Sequence, residues 1–181
     1  MEPELVSRAQ RGDQEAFASL AVACGGRLHA IAHRILRDAD LAEDATQQAL
    51  LGIWRDLPQL RDPANFDAWS YRILVRACYA EGRRRRPPVP VLQLIPADEP
   101  VIGDDSGMIV DRDQLERGFR RLSIDHRAVV VLHHYLDLSH DEVAEALGVP
   151  VGTVRSRLFY AMRALRAAID ADLRPAAVEA S

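Results

Sequence analysis

The sequence predicts an all-α protein: two small helical domains joined by a flexible, proline-rich, acidic linker. Apolar residues recur at helical spacing through both halves of the chain. No stretch alternates with the period-2 pattern of a half-buried strand, and no Asn-Gly hairpin signal occurs. Five prolines and two glycines interrupt the pattern near its middle. We therefore predict domains at residues 1–86 and 113–172, a linker at 87–112 and a tail at 173–181.

The charge of the chain is modest but unevenly distributed. Its 181 residues carry 27 acidic and 23 basic side chains, a formal net charge of −4, and every basic residue is arginine. The linker has one arginine against five acids, which is typical of an extended spacer. A negative total does not exclude nucleic acid as a partner, because the distribution of charge matters more than its sum.

Several protein classes are excluded at this stage. No apolar run reaches the roughly 18 residues of a membrane span, and the start, Met1-Glu2-Pro3-Glu4, lacks the apolar core of a secretory signal. Cys24 and Cys78 are too few for a disulfide framework. We expect a cytoplasmic protein with reduced thiols.

Four helices are predicted in the first domain. Residues 5–9 form a short helix, and after a break at Gly12 the side chain of Asp13 is a candidate N-cap for the second, which Gly25-Gly26 could interrupt. Asp40 is the expected cap of the third helix, which Pro58 ends. The apolar stripe of the third helix comprises Leu41, Ala45, Ala49, Leu50, Ile53, Trp54 and Leu57. Asn65 or Asp67 opens the fourth, with Phe66, Trp69, Ile73 and Leu74 facing inward.

The second domain carries a sharper signal. Helices are predicted at residues 112–122 and 125–136. Ser139, with Glu142 three residues later, then forms a capping box. Gly148 is the expected left-handed stop, and Pro150 and Thr153 begin a last helix to about residue 170. A short helix, a glycine turn and a longer arginine-bearing helix predict a helix-turn-helix, whose second helix enters the DNA major groove.

The last helix is amphipathic in an unusual way. At 100° per residue its core stripe contains Val154, Leu158, Ala161, Met162 and Leu165. The opposite face holds Ser156, Phe159, Tyr160 and Arg163, flanked by Arg155 and Arg157, with no acid between residues 151 and 166. An ordinary solvated face is one interpretation, but solvent does not require Phe159 and Tyr160 there. A groove offering thymine methyls and guanine edges can use both residue types, so we favour DNA binding.

These residues resemble a known family. The run from Leu138 to Leu158, LSHDEVAEALGVPVGTVRSRL, is similar to region 4 of bacterial extracytoplasmic-function (ECF) sigma factors. Residues 41–50, LAEDATQQAL, with Ile53-Trp54, resemble the polymerase-binding helix of their region 2. Residues 66–73, FDAWSYRI, resemble the next helix, and residues 83–86, RRRR, its basic end. The resemblance covers about residues 5–86 and 113–170.

The resemblance implies a function and a set of site residues. Such a protein binds core RNA polymerase through the β′ clamp helices and the β flap, and directs initiation at promoters by reading −10 and −35 elements. It implies no catalytic residue, cofactor or metal, and an anti-sigma factor as a further partner. Polymerase contacts would come from Asp44, Gln47, Gln48 and Leu51. The −10 element and its phosphates would be contacted by Ala64, Asn65, Phe66, Arg76, Arg83, Arg84, Arg85 and Arg86. The −35 element would be contacted by Thr153, Arg155, Ser156, Arg157, Phe159 and Tyr160.

The chain also departs from the family pattern. Arg76 stands where many members carry Asn, Ala80 where Asp is common, Gln48 where Glu is common, and Tyr160 where Arg is frequent. These departures bear on base preference more than on function.

Two alternative functions remain open. One is an autonomous helix-turn-helix regulator, which would need dimerisation to bind a two-fold site. The other is a sigma mimic that titrates an anti-sigma factor. Histidine pairs at His29/His33 and His133/His134 are predicted to be ordinary helix residues rather than metal ligands.

Overall fold

The computed structural model describes the backbone of residues 1–84 and 112–173, and the side chains of residues 1–84 and 115–168. The predicted linker, apart from Arg112, and nearly all of the predicted tail lie outside these residues. The described residues form α-helices and short helical turns without any strand, which confirms the all-α prediction. The helices are α1 (Pro3–Gln10), α2 (Gln14–Leu36), α3 (Ala39–Asp56), α4 (Phe66–Arg84), α5 (Arg112–Arg121), α6 (Ile124–Val130), α7 (His140–Leu147) and α8 (Val151–Leu173).

Carboxylate caps set the start of two helices in the first half. The Asp13 side chain accepts a hydrogen bond from the backbone N–H of Ala16 at 2.9 Å, which confirms the predicted cap of α2. The predicted cap of α3 was wrong by two residues, because Asp38 rather than Asp40 accepts from the N–H of Leu41 at 3.0 Å. Arg37 ends α2 in the left-handed conformation, with φ of 60°, so the chain turns sharply and the next helix begins at once.

The helix α2 continues through Gly25-Gly26, where the sequence suggested an interruption. A Cβ added at either glycine would meet nothing within 4 Å, so neither position is needed for close packing. The buried stripe on both sides, which includes Leu20 and Leu28, holds the helix together at this point. Tertiary burial therefore outweighs the roughly 1 kcal/mol that each interior glycine costs relative to alanine.

The helices α1 to α4 pack around one apolar core. Phe66, at the start of α4, has no exposed surface. The other large side chains that are fully buried in this half are Val6, Leu20, Leu28, Ile31, Ile35, Ile53, Leu57, Leu74 and Val75. Truncating one such side chain to alanine costs about 2–5 kcal/mol, so this core supplies a rigid platform for the surfaces described below.

The second half starts with a serine cap. The Ser123 side chain accepts from the N–H of His126 at 3.3 Å, so Ser123 rather than the predicted Asp125 opens α6. The α-helical pattern ends at Val130 and continues as a π-turn, Val131–Tyr135, where the sequence predicted uninterrupted helix. Such a turn widens the helix by one residue and re-aims the side chains that follow it.

The helix-turn-helix is formed by α7 and α8. Both halves of the predicted capping box are present: the Ser139 hydroxyl accepts from the N–H of Glu142, and the Glu142 carboxylate accepts from the N–H of Ser139 at 2.8 Å. Gly148 ends α7 in the left-handed conformation, with φ of 66°, as expected. The chain then turns directly into α8 at Val151.

The two helical groups are not separate in the structure. Buried apolar side chains from α1–α4 and from α5–α8 form one continuous cluster. The main junction is the contact of α4 with α7, supplemented by α2 against α6 and the π-turn. The sequence predicted two domains but carried no signal that they pack on each other.

Candidate nucleic-acid and polymerase interfaces

The helix α8 places its two faces as the helical wheel predicted. Val154, Leu158, Ala161 and Leu165 are buried against the other helices of this half. Met162, which the wheel placed at the edge of the core stripe, is instead 46% exposed. It lies about 50° from the centre of the stripe, where the neighbouring helices no longer reach.

The opposite face of α8 presents the expected DNA-binding residues. Arg155 is exposed, whereas Thr153, Ser156, Phe159 and Tyr160 are partly exposed. The Ser156 hydroxyl donates to the carbonyl of Thr153 at 3.0 Å, which leaves its lone pairs for a further donor. The rings of Phe159 and Tyr160 meet edge to face with centroids 5.4 Å apart. The face therefore combines a cation, a hydroxyl and an aromatic surface.

Arg157 differs from Arg155 in its surroundings. Its guanidinium lies 3.2 Å from the carboxylate of Asp125 on α6, and its side chain is only one quarter exposed. A charge-assisted contact of this kind fixes the position of a side chain. The sequence grouped the two arginines together, whereas the structure holds one of them against its own domain.

The loop between α3 and α4 is organised by Asp62. Its carboxylate accepts from the N–H of Ala64 at 3.0 Å and from the side-chain amide of Asn65 at 3.1 Å, and it caps the short turn Pro63–Asn65. Ala64 and Asn65 are exposed, but the Phe66 ring is in the core, 6.0 Å from the ring of Trp69. The inward orientation predicted for Phe66 is confirmed, and because the ring has no exposed surface it anchors the loop from beneath rather than presenting a face to the −10 element.

The predicted basic residues of α4 are on its surface. Arg76, Arg83 and Arg84 are exposed, and the guanidinium of Arg84 contacts the buried carboxylate of Glu81 at 2.9 Å. Arg85 and Arg86 lie outside the described residues. The described part of this run therefore forms the carboxyl-terminal end of α4.

The four predicted polymerase contacts share one face of α3. Asp44, Gln47, Gln48 and Leu51 are all exposed, and the Leu51 side chain is 62% exposed. Beside it lies Trp54, which the sequence assigned to the core stripe but which is 43% exposed. Its ring packs edge to face on Phe17 of α2, with centroids 4.5 Å apart. Because Phe17 supports Trp54 from α2, the indole can remain at the surface.

These residues form an apolar depression that the sequence did not reveal. It encloses about 350 Å³ and is lined by Phe17, Gln47, Leu50, Leu51 and Trp54. Because apolar side chains cluster at the surface here, the depression is a candidate interaction surface. We call it the α3 patch.

The described cysteine and histidine side chains are not arranged as a reactive or metal-binding site. Cys24 and Cys78 are buried, and burial raises the pKa of the Cys78 thiol to about 12, which makes it unreactive. The rings of His29 and His33 have centroids 6.5 Å apart. Among the described side chains no group of three potential ligands could hold a metal ion. The helices of the described part are also too short or too polar to cross a bilayer.

A helix-turn-helix whose second helix exposes arginine and aromatic side chains is typical of DNA-binding transcription factors. Comparison with known families identifies the family of this chain. Residues 20–87 match Sigma-70 region 2, and residues 112–165 match Sigma-70, region 4. The chain belongs to the ECF family of RNA polymerase sigma factors. It binds core RNA polymerase and directs promoter-specific initiation of transcription.

Individual relatives cover nearly the whole chain. The RNA polymerase sigma-H factor of Pseudomonas aeruginosa is 31% identical over 191 residues, covering 98% of this chain and 96% of that protein. The ECF RNA polymerase sigma-E factor of Escherichia coli K12 is 31% identical over 183 residues, covering 94% of this chain and 93% of that protein.

Two solved structures share the fold of this chain. The structure of CnrH in complex with the cytosolic domain of CnrY is similar with a TM-score of 0.67 and 25% identity, covering 94% of this chain and 98% of that one. The sigma factor RpoE bound to the anti-sigma factor NepR from Bartonella quintana shares the fold, with a TM-score of 0.65, 24% identity and coverage of 86% and 98%.

Proposed function

We propose that this sigma factor divides its work between the two helical groups. The α3 patch, with Asp44, Gln47, Gln48 and Leu51, binds the β′ clamp helices of core polymerase, and region 4 contacts the β flap. The observation that supports this is the exposed Leu51–Trp54 surface flanked by amide and carboxylate groups. An apolar anchor with a polar rim is the usual anatomy of a protein interface.

We infer that region 2 engages the −10 element. Ala64 and Asn65, held by Asp62 on the buried Phe66, form the rim of a site for a base drawn out of the stack. Arg76 contacts the DNA nearby, and Arg83 to Arg86 contact phosphates without sequence preference. The support is the exposure of Ala64, Asn65, Arg76, Arg83 and Arg84 on the surface of one domain.

We infer that α8 binds the −35 element in the major groove. Thr153, Arg155, Ser156, Phe159 and Tyr160 supply the contacts. The observation that carries this is the exposure of Arg155 and the partial exposure of Ser156 and Phe159 opposite the buried Val154–Leu165 stripe. Arg157 contributes less, because Asp125 already holds it.

The protein acts in this proposal as a binding subunit in the cytoplasm, where polymerase and promoter DNA meet, and not as an enzyme. Two solved neighbours are complexes, one of CnrH with the cytosolic domain of CnrY and one of the sigma factor RpoE with the anti-sigma factor NepR. We propose that an anti-sigma factor likewise controls this chain by covering surfaces that polymerase uses.

Run-off transcription with purified core polymerase tests the proposal, using the promoter upstream of the protein's own gene. The double variant Ser156→Ala/Phe159→Ala should keep its fold, because both side chains are partly exposed and lie away from the buried Val154–Leu165 stripe. It should lose about 1–3 kcal/mol of −35 affinity per base contact removed. Transcription should therefore fall on the native template.

A paired template with a scrambled −35 element is the control. If the double variant loses the same factor on both templates, Phe159 is not a groove residue. A gel shift tests the first alternative function, because an autonomous regulator would bind the promoter tightly without polymerase. The run-off assay tests the second, because a sigma mimic would give no product at all.

A further inference from the structure

The loop between α3 and α4 uses its backbone hydrogen-bond donors internally. The N–H of Ala64 donates to the Asp62 carboxylate at 3.0 Å, and the N–H of Asn65 donates to the Asp62 carbonyl at 3.0 Å. The N–H of Phe66 donates to the carbonyl of Pro63, and Pro63 itself has no N–H. From residue 63 to residue 66, therefore, every backbone donor is already engaged when a ligand approaches.

The side chain of Asp62 also fixes the orientation of the Asn65 amide. The distance from Asn65 Nδ2 to Asp62 Oδ2 is 3.1 Å. A carboxylate oxygen can only accept, so the atom that faces it is the amide nitrogen and not the amide oxygen. Asn65 Oδ1 takes no part in this bond, and its lone pairs can receive another donor. The second hydrogen on Nδ2 lies beside the carboxylate, whose charge repels any acceptor that comes near it.

The Asp62 carboxylate has acceptor capacity left over. Each of its oxygens receives one hydrogen bond from a neutral group of the same loop, and the side chain is exposed. A carboxylate offers about four lone-pair positions, so further donors can still be accepted. The next acid, Asp67, is bound differently, because it pairs with Arg27 of α2. Asp62 and Asn65 Oδ1 together make the exposed surface of this loop rich in acceptors and poor in donors.

A surface of this kind discriminates between the four bases. Cytosine and adenine carry an exocyclic amino group, at N4 and N6, whereas thymine and guanine carry a carbonyl oxygen, O4 or O6, in the equivalent place. Carboxylates accept hydrogen bonds from cytosine N4, and asparagine accepts from adenine N6, in protein–DNA contacts generally. A carbonyl oxygen would instead set its lone pairs against those of the loop. An acidic rim also repels phosphates, so it favours a base edge as its ligand.

We propose that Asp62 and Asn65 select an amino-bearing base, cytosine or adenine, at one position of the −10 element. The inference rests on the proposed role of this loop as the rim of a site for a base drawn out of the stack. Asp62 determines specificity in two ways: its carboxylate accepts from the amino group, and its hold on the Asn65 amide leaves Oδ1 to accept as well. The buried ring of Phe66 keeps the loop in place beneath them.

The first experiment measures base preference position by position. Holoenzyme made from core polymerase and the full-length protein binds forked promoter fragments whose −10 non-template strand is single-stranded. Each position carries A, C, G or T in turn. The position that the loop contacts is the one at which Asn65→Ala reduces discrimination. There, A or C should bind about tenfold more tightly than T and G.

Analogues that lack only the exocyclic amino group then test the chemistry at that position. Unsubstituted purine in place of adenine, or pyrimidinone in place of cytosine, should lose most of the tenfold preference, because the donor is gone while the ring remains. Whether A or C is preferred identifies the base, and either result supports the proposal. Preference for T or G at the position that responds to Asn65→Ala would overturn it, as would an Asn65→Ala variant that changes discrimination nowhere.

The variant Asp62→Asn tests the orientation of the amide directly. The new amide oxygen can still accept from the N–H of Ala64, but its NH₂ group would donate to Asn65 Oδ1. The Asn65 amide then turns over and presents its own NH₂ to the base. The ratio of affinities for A or C over T or G should fall at least about tenfold. Asp56→Asn is the matched control, the same change at the acid that ends α3, where the carboxylate pairs with Arg55.

Folding and polymerase binding are measured separately from base preference. Circular dichroism and co-purification with core polymerase should be the same for all three variants, since Asp62 and Asn65 are exposed and lie outside the α3 patch. If Asp62→Asn does not fold, Asn65→Ala and the base analogues still decide the question. A folded Asp62→Asn with the base preference of Asp56→Asn would overturn the inference alone. Binding that is indifferent to the whole −10 sequence would overturn the proposed function of region 2 and this inference with it.

Discussion

Leu51 and Trp54 are large apolar side chains that the fold leaves exposed on α3. The helix α3 buries Ala45, Ala49 and Ile53, and this leaves Leu51 on the opposite side with most of its side chain in water. Trp54 is supported from beneath by Phe17. Rigid aromatic and aliphatic side chains of this kind dominate the binding energy of protein interfaces.

Leu51→Arg should therefore weaken binding to core polymerase. The change removes an apolar anchor and puts a charge where the partner desolvates it. We expect a loss of about 2 kcal/mol, or roughly thirtyfold in dissociation constant. Co-purification and fluorescence anisotropy with core polymerase measure it. Val22→Arg, at an exposed apolar position on α2, is the control and should bind normally. Equal binding by Leu51→Arg and the unchanged chain would remove Leu51 from the interface.

At the scale of an element, the start of α7 depends on one reciprocal set of hydrogen bonds. The Ser139 hydroxyl donates to the Glu142 carboxylate at 2.7 Å and accepts from the N–H of Glu142 at 3.3 Å. An eight-residue helix has few internal hydrogen bonds of its own. The cap therefore decides whether α7 is present to hold α8 at the correct angle.

Ser139→Ala should cost about 1 kcal/mol of stability in region 4, the usual cost of removing an N-cap. Thermal unfolding followed by circular dichroism measures the loss. Ser19→Ala, an exposed serine inside α2, should change little. A melting curve for Ser139→Ala that overlays the Ser19→Ala curve would show that the cap is dispensable.

The same cap introduces a pH dependence with a defined sign. Hydrogen bonds from the Ser139 side chain and backbone lower the pKa of Glu142 from its usual value of 4.5. The cap therefore contributes fully above about pH 4.5, where the unfolded-state carboxyl is ionised. That contribution is lost as the pH falls through the lower folded-state pKa. Glu142→Gln should remove this acid sensitivity from the protection of α7 amides against hydrogen exchange. Unaltered acid sensitivity in Glu142→Gln would assign it to another group.

At the scale of the whole molecule, the distribution of charge matters more than its sum. The chain has a formal charge of −4, yet arginines collect at the carboxyl end of α4 and along α8. Phosphate contacts release counterions, so each one steepens the dependence of affinity on salt.

Replacing Arg83 to Arg86 by alanine should weaken promoter complexes on all sequences alike. The slope of log affinity against log salt should flatten by up to about 0.9 for each phosphate that the arginines no longer neutralise. Filter binding of the holoenzyme between low and moderate salt measures this slope. Arg11→Ala, at an exposed arginine after α1, should leave it unchanged. A decrease confined to one promoter sequence would mean that the run binds bases.

Local sequence patterns determined much of the secondary structure of this protein. Helical periodicity, the Ser139/Glu142 capping box and the Gly148 stop specified the helix-turn-helix, because each depends on residues within about four positions of one another. The buried stripe of α8 and the exposure of Arg155 and Leu51 followed from the same periodicity. Errors at this scale were small: Asp38 and Ser123, rather than Asp40 and Asp125, are the caps.

Only the tertiary structure decided how distant elements meet. Trp54 belongs to the apolar stripe that the sequence predicted for α3, yet it is 43% exposed and rests on Phe17 of α2, a contact that no local pattern records. Arg155 and Arg157 look alike in sequence but differ through Asp125, 32 positions before Arg157. In the sequence Gly82 is an ordinary glycine near the end of a helix. In the structure Ile124 of α6 lies so close that a Cβ at position 82 would meet its side chain. The junction of α4 with α7 and of α2 with α6 depends on close approach across the whole molecule, and close approach is a property of packing rather than of periodicity.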